Sequence, residues 1–209
     1  MKSTKFGLGF EQHHTKKIER ARQLVLLTTL AAMVNHINRN FNKHILTIED
    51  PIEYVYSQER SLIAQREVAS DTHSFADALR ASLRQDPDVI IIGEIRDETT
   101  AKLAVRAAST GHLVISTMHT NSALNIPKVF EYYGADKMQM MSSLVLGANQ
   151  RLIREICSAC SIRSSKSLNK LKTHNPKGCD NCQNGYTNRR TLIFEYFTSK
   201  EIFENGDIK

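Results

Sequence analysis

Two short apolar runs in the middle of the chain each lead into polar residues, and this pattern constrains the fold most. The runs are residues 89–92 and 113–115. The polar residues that follow them are Gly93, Glu94, Ser116, Thr117 and His119. Runs that are apolar throughout are typical of strands buried on both faces of a parallel sheet, whose ligands bind at the carboxyl edge. We therefore expect one sheet edge to carry a carboxylate, hydroxyls and an imidazole, a set suited to a metal-bound phosphate.

Strand-length and helix-length segments alternate along most of the chain. The predicted strands are 24–27, 44–48, 62–66, 89–92 and 113–117, and the predicted helices are 28–40, 75–84, 98–109, 122–133 and 137–156. Ser74 followed by Asp77 predicts a capped start for the second helix. The last helix is predicted from apolar residues at helical spacing, namely Met138, Met141, Leu144, Val145 and Leu152. The alternation predicts an α/β fold with a mostly parallel sheet.

All four cysteines fall in two C-x₂-C pairs, Cys157 with Cys160 and Cys179 with Cys182. This spacing is typical of a zinc ribbon, in which each pair offers two thiolates to one tetrahedral Zn²⁺. Two redox pairs or a disulfide framework are the alternatives. Disulfides are disfavoured in a cytosolic chain. The sequence therefore predicts a structural zinc site held by all four cysteines.

The 209 residues carry 28 Lys or Arg against 22 Asp or Glu, for a formal net charge of +6. The basic residues cluster at 16–22, 163–177 and 189–190, which indicates solvated loops and helix faces, with a membrane surface or an acidic partner as the alternative. No nucleic-acid-binding motif is present. No apolar run approaches membrane-span length, and no apolar segment follows the basic start, so a cytosolic protein is expected.

Three longer motifs resemble those of a known family. Residues 48–54 (IEDPIEY) resemble its Asp box, residues 86–97 (DPDVIIIGEIRD) its Walker B box, and residues 111–121 its His box. Over about residues 8–195, the chain resembles the hexameric ATPases that power type II secretion and type IV pilus assembly. The resemblance implies a RecA-like ATPase core with a small C-terminal zinc-ribbon-like module. It also favours the secretion and pilus-extension branch, whose members commonly carry a tetracysteine module.

The resemblance assigns roles to residues of these motifs. Glu49 would be the general base or position the attacking water, and Glu94 would orient a Mg²⁺-bound water or the metal. The other implied site residues are His112 and His119 for phosphate sensing, and Asp50, Thr28 and Thr29 for binding ATP and Mg²⁺. Taken alone, the two glutamates are equally acids at strand ends, and His112 is a histidine at a helix or strand boundary.

The family also implies partners and a location. We expect a homo- or hetero-oligomer, with the hexamer as the family state, an inner-membrane platform protein as partner, and no nucleic acid. The expected location is the cytoplasm, extending to the periphery of the inner membrane.

The nucleotide-binding loop of this family is missing from the sequence. A P-loop needs Gly-x-x-x-x-Gly-Lys-Ser/Thr between a strand and a helix, because its backbone N–H groups and its lysine hold the phosphates. No glycine occurs between Gly9 and Gly93, and Leu27 is followed directly by Thr28. A block of about nine residues is absent while both flanks are kept. ATP binding and hydrolysis are therefore expected to be lost.

These observations predict four segments and leave three functions open. The segments are an N-terminal remnant or linker (1–23), the ATPase core (24–156), the zinc module (157–190) and a tail (191–209). The functions are an ATPase core that no longer turns over, a non-enzymatic subunit that joins an intact hexamer, and a zinc-dependent binding protein with a vestigial α/β domain.

Overall fold

The computed structural model describes residues 27–163 and 172–200. They divide into two compact units. One unit runs up to Asn149 and resumes at Glu195, and the other is residues 150–194.

The first unit contains a four-stranded parallel sheet. Its strands are β1 (His44–Glu49), β2 (Leu62–Glu67), β3 (Val89–Ile92) and β4 (Leu113–Ser116), in the order β2-β1-β3-β4. The two central strands, β1 and β3, are the most buried, and all four residues of β3 are buried. Ile45 pairs with Val89, and Ile90 with Val114, so β1, β3 and β4 end close to one level. The predicted parallel α/β sheet is confirmed.

Helices cover both faces of this sheet, because successive residues of a strand point to opposite sides. Residues 27–40 form helix α1, which packs Leu30 and Val34 against one face. Helices α2 (Phe75–Ser82) and α3 (Glu98–Ser109) pack on the face formed by Leu46, Ile48, Ile90 and Ile92. Burial on both sides explains why the strands read as continuous apolar runs.

Side-chain caps begin both helices on the second face. The Ser74 hydroxyl accepts from the Asp77 N–H at 3.1 Å and donates to the Asp77 carboxylate at 2.8 Å. The Asp97 carboxylate accepts from the Thr100 N–H at 2.9 Å and from the Thr100 hydroxyl at 2.7 Å. The cap predicted at Ser74 is therefore present, although α2 ends at Ser82, two residues before the expected boundary.

Short helices follow β4. Ala123–Asn125 forms a single 3₁₀ turn, and α4 (Ile126–Tyr132) and α5 (Lys137–Ser143) come next. Within α5, Met140 is buried, whereas Met138, expected in the core, is 76% exposed.

The helix predicted over residues 137–156 is wrong beyond Ser143. Leu146–Ile156 is instead strand β5, which pairs with β8 (Tyr186–Thr198) in a two-stranded sheet. A side chain at Gly147 would lie 2.3 Å from the Phe197 ring, so glycine lets β8 pack directly on β5. The pairing is nonlocal, and it overrides the local helical spacing.

The second unit holds the remaining small sheet, formed by β6 (Ile162–Arg163) and β7 (Lys172–Thr173), which are antiparallel. Residues 191–198, placed in the tail by the sequence, belong to β8.

The start of the chain differs from expectation at one described residue. Leu27, predicted as the last residue of a strand, is helical, and residues 24–26 lie outside the described part. A parallel strand needs a few connecting residues before its crossover helix. Leu27 is directly followed by the predicted helix, and in the structure it is already part of that helix. Across the described residues, no helix has the length and apolarity needed to cross a bilayer.

Candidate functional site

The carboxyl ends of β1 and β3 bring two buried glutamates to one edge of the sheet. Glu49 is the last residue of β1 and Glu94 follows β3, and they are 8% and 7% exposed. Gly93 lies between β3 and Glu94, and a Cβ atom there would sit 3.3 Å from the Ile48 carbonyl oxygen. The absence of a side chain thus allows the two strand ends to approach closely.

Hydrogen bonds hold Glu49 in place. Its Oε1 accepts from the Thr47 hydroxyl at 2.7 Å and from the Gln65 side-chain amide at 3.3 Å. Burial, and then the charge of the Glu49 carboxylate, raises the pKa of the Tyr56 hydroxyl to about 12. Glu49 is therefore a fixed acceptor with a neutral phenol near it.

Glu94 is enclosed by two basic side chains. The Arg96 guanidinium donates to its Oε1, and His119 Nε2 lies 3.4 Å from its Oε2. Arg96 and His119 are more than half exposed, whereas the carboxylate is buried. Oε2 is a buried oxygen without a hydrogen-bond partner in the described structure. This carboxylate can accept a further cation or donor.

The hydroxyls at the carboxyl end of β4 donate hydrogen bonds to backbone carbonyls. Ser116 donates to the Ile92 carbonyl at 2.9 Å, and Thr117 donates to the Gly93 carbonyl at 2.6 Å. They therefore join the end of β4 to the end of β3 and keep His119 beside Glu94.

The other sequence-predicted residues lie elsewhere in the first unit. His112 precedes β4, and its Nδ1 lies 2.9 Å from the Ala107 carbonyl oxygen near the end of α3. With a strand of four residues between them, His112 and the carboxyl edge are about 13 Å apart. Asp50 is exposed directly after β1, and Thr28 and Thr29 belong to α1.

Sequence reasoning missed the role of Gln65. Its amide nitrogen donates to the Tyr54 carbonyl at 2.8 Å as well as to Glu49, and its amide oxygen accepts from the Tyr56 N–H at 2.9 Å. Gln65 thereby ties the Asp-box loop to Glu49. Gln65 is a polar residue within the predicted strand 62–66, close in sequence to the Asp box, and this could have indicated a contact with the Asp-box loop.

The glycine-rich loop with which the family would hold a nucleotide is absent from the sequence. The sequence has no glycine from residue 10 to residue 92, and the described chain is already helical at Leu27. The sequence therefore does not encode a glycine-rich phosphate-binding loop ahead of Thr28.

The four cysteines of the second unit form one cluster. Their sulfur atoms lie within 4.8 Å of one another, with Cys157–Cys179 at 3.8 Å, Cys160–Cys182 at 3.5 Å and Cys179–Cys182 at 3.6 Å. Four thiolates at 2.3 Å from a tetrahedral Zn²⁺ would be about 3.8 Å apart. All four are free thiols, and the cluster fits a structural zinc ion.

Two turns build this cluster. Gly178 and Gly185 have φ angles of 67° and 82°, and a side chain at Gly185 would clash with the Asn175 backbone at 2.4 Å. The Cys182 N–H donates to the Cys179 carbonyl at 3.0 Å, and the Cys157 N–H donates to the Gly185 carbonyl at 2.9 Å. The backbone thus brings the two pairs together without a disulfide.

The thiols differ in acidity. Burial and the neighbouring thiols raise the pKa of Cys160 to about 12. Burial also raises the pKa of Cys182, but hydrogen bonds from the Cys179 N–H and from neighbouring thiols outweigh it and lower that pKa to about 7.

Comparison with known proteins decides the family. The model of the family described as type II/IV secretion system protein matches residues 27–205. The chain belongs to this family. It is 47% identical over 129 residues to the type IV pilus retraction ATPase PilT of Pseudomonas aeruginosa, which covers 61% of this chain and 38% of that protein. It is 41% identical over 175 residues to the type II secretion system protein E of Pectobacterium carotovorum subsp. carotovorum, covering 78% of this chain and 34% of that protein.

Solved structures of the family share the fold. The pilus retraction motor PilT with bound ADP superposes with a TM-score of 0.61 at 38% identity, covering 82% of this chain and 43% of that chain. The ATPase DotB of Legionella pneumophila gives a TM-score of 0.64 at 24% identity, covering 86% and 45%. The RecA-like fold class is thus confirmed, and the chain spans less than half the length of these relatives.

Proposed function

We propose that this chain is the ATPase-fold core of a type II secretion or type IV pilus motor protein that no longer binds or hydrolyses ATP. The single observation that carries the proposal is the missing loop between Leu27 and Thr28. Phosphoryl transfer depends on positioning and on neutralising the phosphate charge, with little covalent chemistry from the protein. Loss of the loop's N–H groups and lysine therefore removes binding itself, as well as turnover.

The two glutamates support an ancestral ATPase role. Glu49 and Glu94 are buried at the sheet edge, and the family resemblance implies that they act on the attacking water and on Mg²⁺. A buried carboxylate oxygen without a hydrogen-bond partner is expected where a carboxylate faced a cation in an ancestral protein, and Glu94 Oε2 is such an oxygen. That ancestral role is ATP-driven assembly of pilins or pseudopilins.

An alternative within the family is a non-enzymatic subunit that joins an intact ATPase hexamer. The observation that favours it is the intact sheet, in which the Arg96 guanidinium pairs with the Glu94 carboxylate without a nucleotide. In either case we propose a protein of the cytoplasm that acts at the periphery of the inner membrane, as an oligomer, with an inner-membrane platform protein as partner. No nucleic acid is involved.

Calorimetry with MgATP tests the first proposal. We expect no measurable binding and no phosphate release above background, and an intact PilT measured under the same conditions serves as the positive control. Insertion of a glycine-rich Lys-Ser loop between Leu27 and Thr28 should improve binding, provided that circular dichroism shows the same fold. Micromolar MgATP binding by the natural chain would refute the proposal.

Co-assembly tests the alternative. The chain is mixed with an intact family hexamer, and the complex is sized by light scattering after gel filtration. Incorporation with altered ATPase activity supports a subunit role, and complete separation of the two proteins rejects it.

A further inference from the structure

The net positive charge of the chain is concentrated in the second unit. Residues 150–194 contain nine Lys or Arg and two Asp or Glu, a formal charge of +7, so the remaining residues carry −1 of the total of +6. A zinc ion bound by four thiolates adds a charge of −2 and leaves about +5. The net positive charge of the protein therefore comes from this unit, and the remaining residues are close to neutral.

A ring contact identifies one face of the β5–β8 ribbon. The Arg154 guanidinium carbon lies 5.5 Å from the centre of the Tyr186 ring, so these two side chains share a face. Because residues alternate along a strand, the even-numbered residues of both strands line this face. Within the second unit they are Leu152, Arg154, Ile156, Tyr186, Asn188, Arg190, Leu192 and Phe194. We call this set the even face.

The even face combines apolar surface with positive charge. Ile156, Leu192 and Phe194 are 39%, 41% and 52% exposed, while the opposite face exposes Ile153 and Ile193 at 42% and 44% but no aromatic side chain within this unit. Arg154 and Arg190 are exposed on the even face. Its described members in this unit include no acidic residue, whereas Glu155 lies on the opposite face.

Tyr186 is held in place by a second ring. His174 stacks on it with the centroids 4.7 Å apart, and its Nδ1 lies 3.1 Å from the Tyr186 hydroxyl. The aromatic ring is thus fixed between an imidazole and a guanidinium, at the end of the even face next to the cysteine cluster.

We propose that the even face binds the surface of an anionic phospholipid bilayer. Aliphatic and aromatic side chains can enter the boundary between headgroups and acyl chains, and arginines extend their charged ends to phosphates while their stems stay on the apolar surface. A single-stranded nucleic acid would use aromatic stacking, but aliphatic residues outnumber aromatic ones on this face. The bilayer is therefore the occupant that matches both the charge and the apolar residues. This proposal deepens the membrane-peripheral part of the proposed function and is independent of nucleotide binding.

Vesicle sedimentation of the full, zinc-loaded chain tests it. We expect binding to phosphatidylcholine–phosphatidylglycerol vesicles, weaker binding at high salt, and little binding to phosphatidylcholine alone. Replacing Arg154 and Arg190 by Gln should lower the partition coefficient about five-fold for each arginine, hence on the order of 30-fold together.

The matched control removes the same charge from the other face. The double substitution Arg151→Gln with Arg189→Gln should lower partitioning by about three-fold or less, because those positions lie about one Debye length from the lipid. Phe194→Ala should weaken binding without a change in charge. Zinc content and circular dichroism confirm that each variant is folded.

The outcomes separate the proposals. Absence of binding to phosphatidylglycerol vesicles, or equal losses in the two double variants, would overturn the lipid face and leave the nucleotide proposal standing. Tighter binding to a single-stranded oligonucleotide or to polyglutamate than to the vesicles would also overturn it. Vesicle binding together with MgATP binding would support the lipid face and reject the proposed loss of nucleotide.

Discussion

Replacement of Cys179 by serine should release zinc and unfold the second unit alone. Of its described residues, Cys157 is the one apolar side chain that is fully buried, so burial of apolar surface stabilises this unit little. Structural zinc sites of this type bind with an apparent free energy of about 10 kcal/mol at neutral pH. The metal is therefore the largest stabilising contribution to this unit.

The magnitude follows from the nearly equal sulfur–sulfur distances of 3.5, 3.6 and 3.8 Å. If the ligands contribute equally, one thiolate supplies about 2.5 kcal/mol, so zinc binding by Cys179→Ser weakens about 70-fold, from tens of nanomolar to a few micromolar. A chelator of micromolar zinc affinity should then strip the variant and spare the natural protein.

Two measurements check this expectation. Elemental analysis after dialysis against that chelator should give one zinc per natural chain and close to none for the variant. Limited trypsin digestion should cut the variant at Lys172, Lys177 and Arg189 while the sheet of the first unit resists. Asn181→Ser, which changes a non-ligand between Cys179 and Cys182, is the control and should keep its zinc. A variant that retains zinc and protease resistance, or a natural protein that holds no zinc, would refute the reasoning.

Three further substitutions test the first unit by urea unfolding. Gly147→Ala should cost about 1–3 kcal/mol, because the added methyl group overlaps the buried Phe197 ring; an unchanged midpoint would contradict that packing. Met140→Ala should cost about 2–5 kcal/mol because the side chain is 1% exposed, and Met138→Ala, at 76% exposed, should stay within about 0.5 kcal/mol; equal losses would argue against the observed orientation of α5. Asp97→Ala should cost about 1 kcal/mol at neutral pH. Partial burial raises the pKa of Asp97, but its helix-cap hydrogen bonds outweigh this and hold that pKa below 3.8. The stability that the cap contributes is therefore present above the unfolded pKa and is lost as pH falls through the lower folded pKa. A difference in stability between the two proteins that does not depend on pH would refute the cap.

The sheet and its edge could be predicted from local signals. Strand β3 has four consecutive apolar residues before a glycine, and the predicted bounds of β3 (89–92) and α3 (98–109) agree with the structure. Glu94 and His119 were expected at one edge because parallel strands end together, and they are 3.4 Å apart. Short-range patterns suffice where the strands are central and fully buried.

Nonlocal packing accounts for the failures. Strand β5 was predicted as helix because its partner, β8, begins about 30 residues later and nothing local marks the pairing. Met140 rather than Met138 is buried because the direction in which α5 packs is set by α3 and α4 and cannot be read from spacing alone. The contacts of Gln65 depend on how an irregular loop folds back, which sequence patterns do not specify.

The position of the cysteine cluster in the chain couples the metal to chain entropy. The chain leaves the first unit in β5 and returns in β8, with the four thiols between these two points. Without zinc, pairing the segments of β5 and β8 that belong to the first unit closes a loop of about 45 residues. With Cys157 and Cys182 joined through the metal, the effective loop is about 20 residues. The difference in closure entropy is about 0.7 kcal/mol. Zinc thus lowers the entropic cost of pairing β8 with β5, because it shortens the loop that the unfolded chain must close.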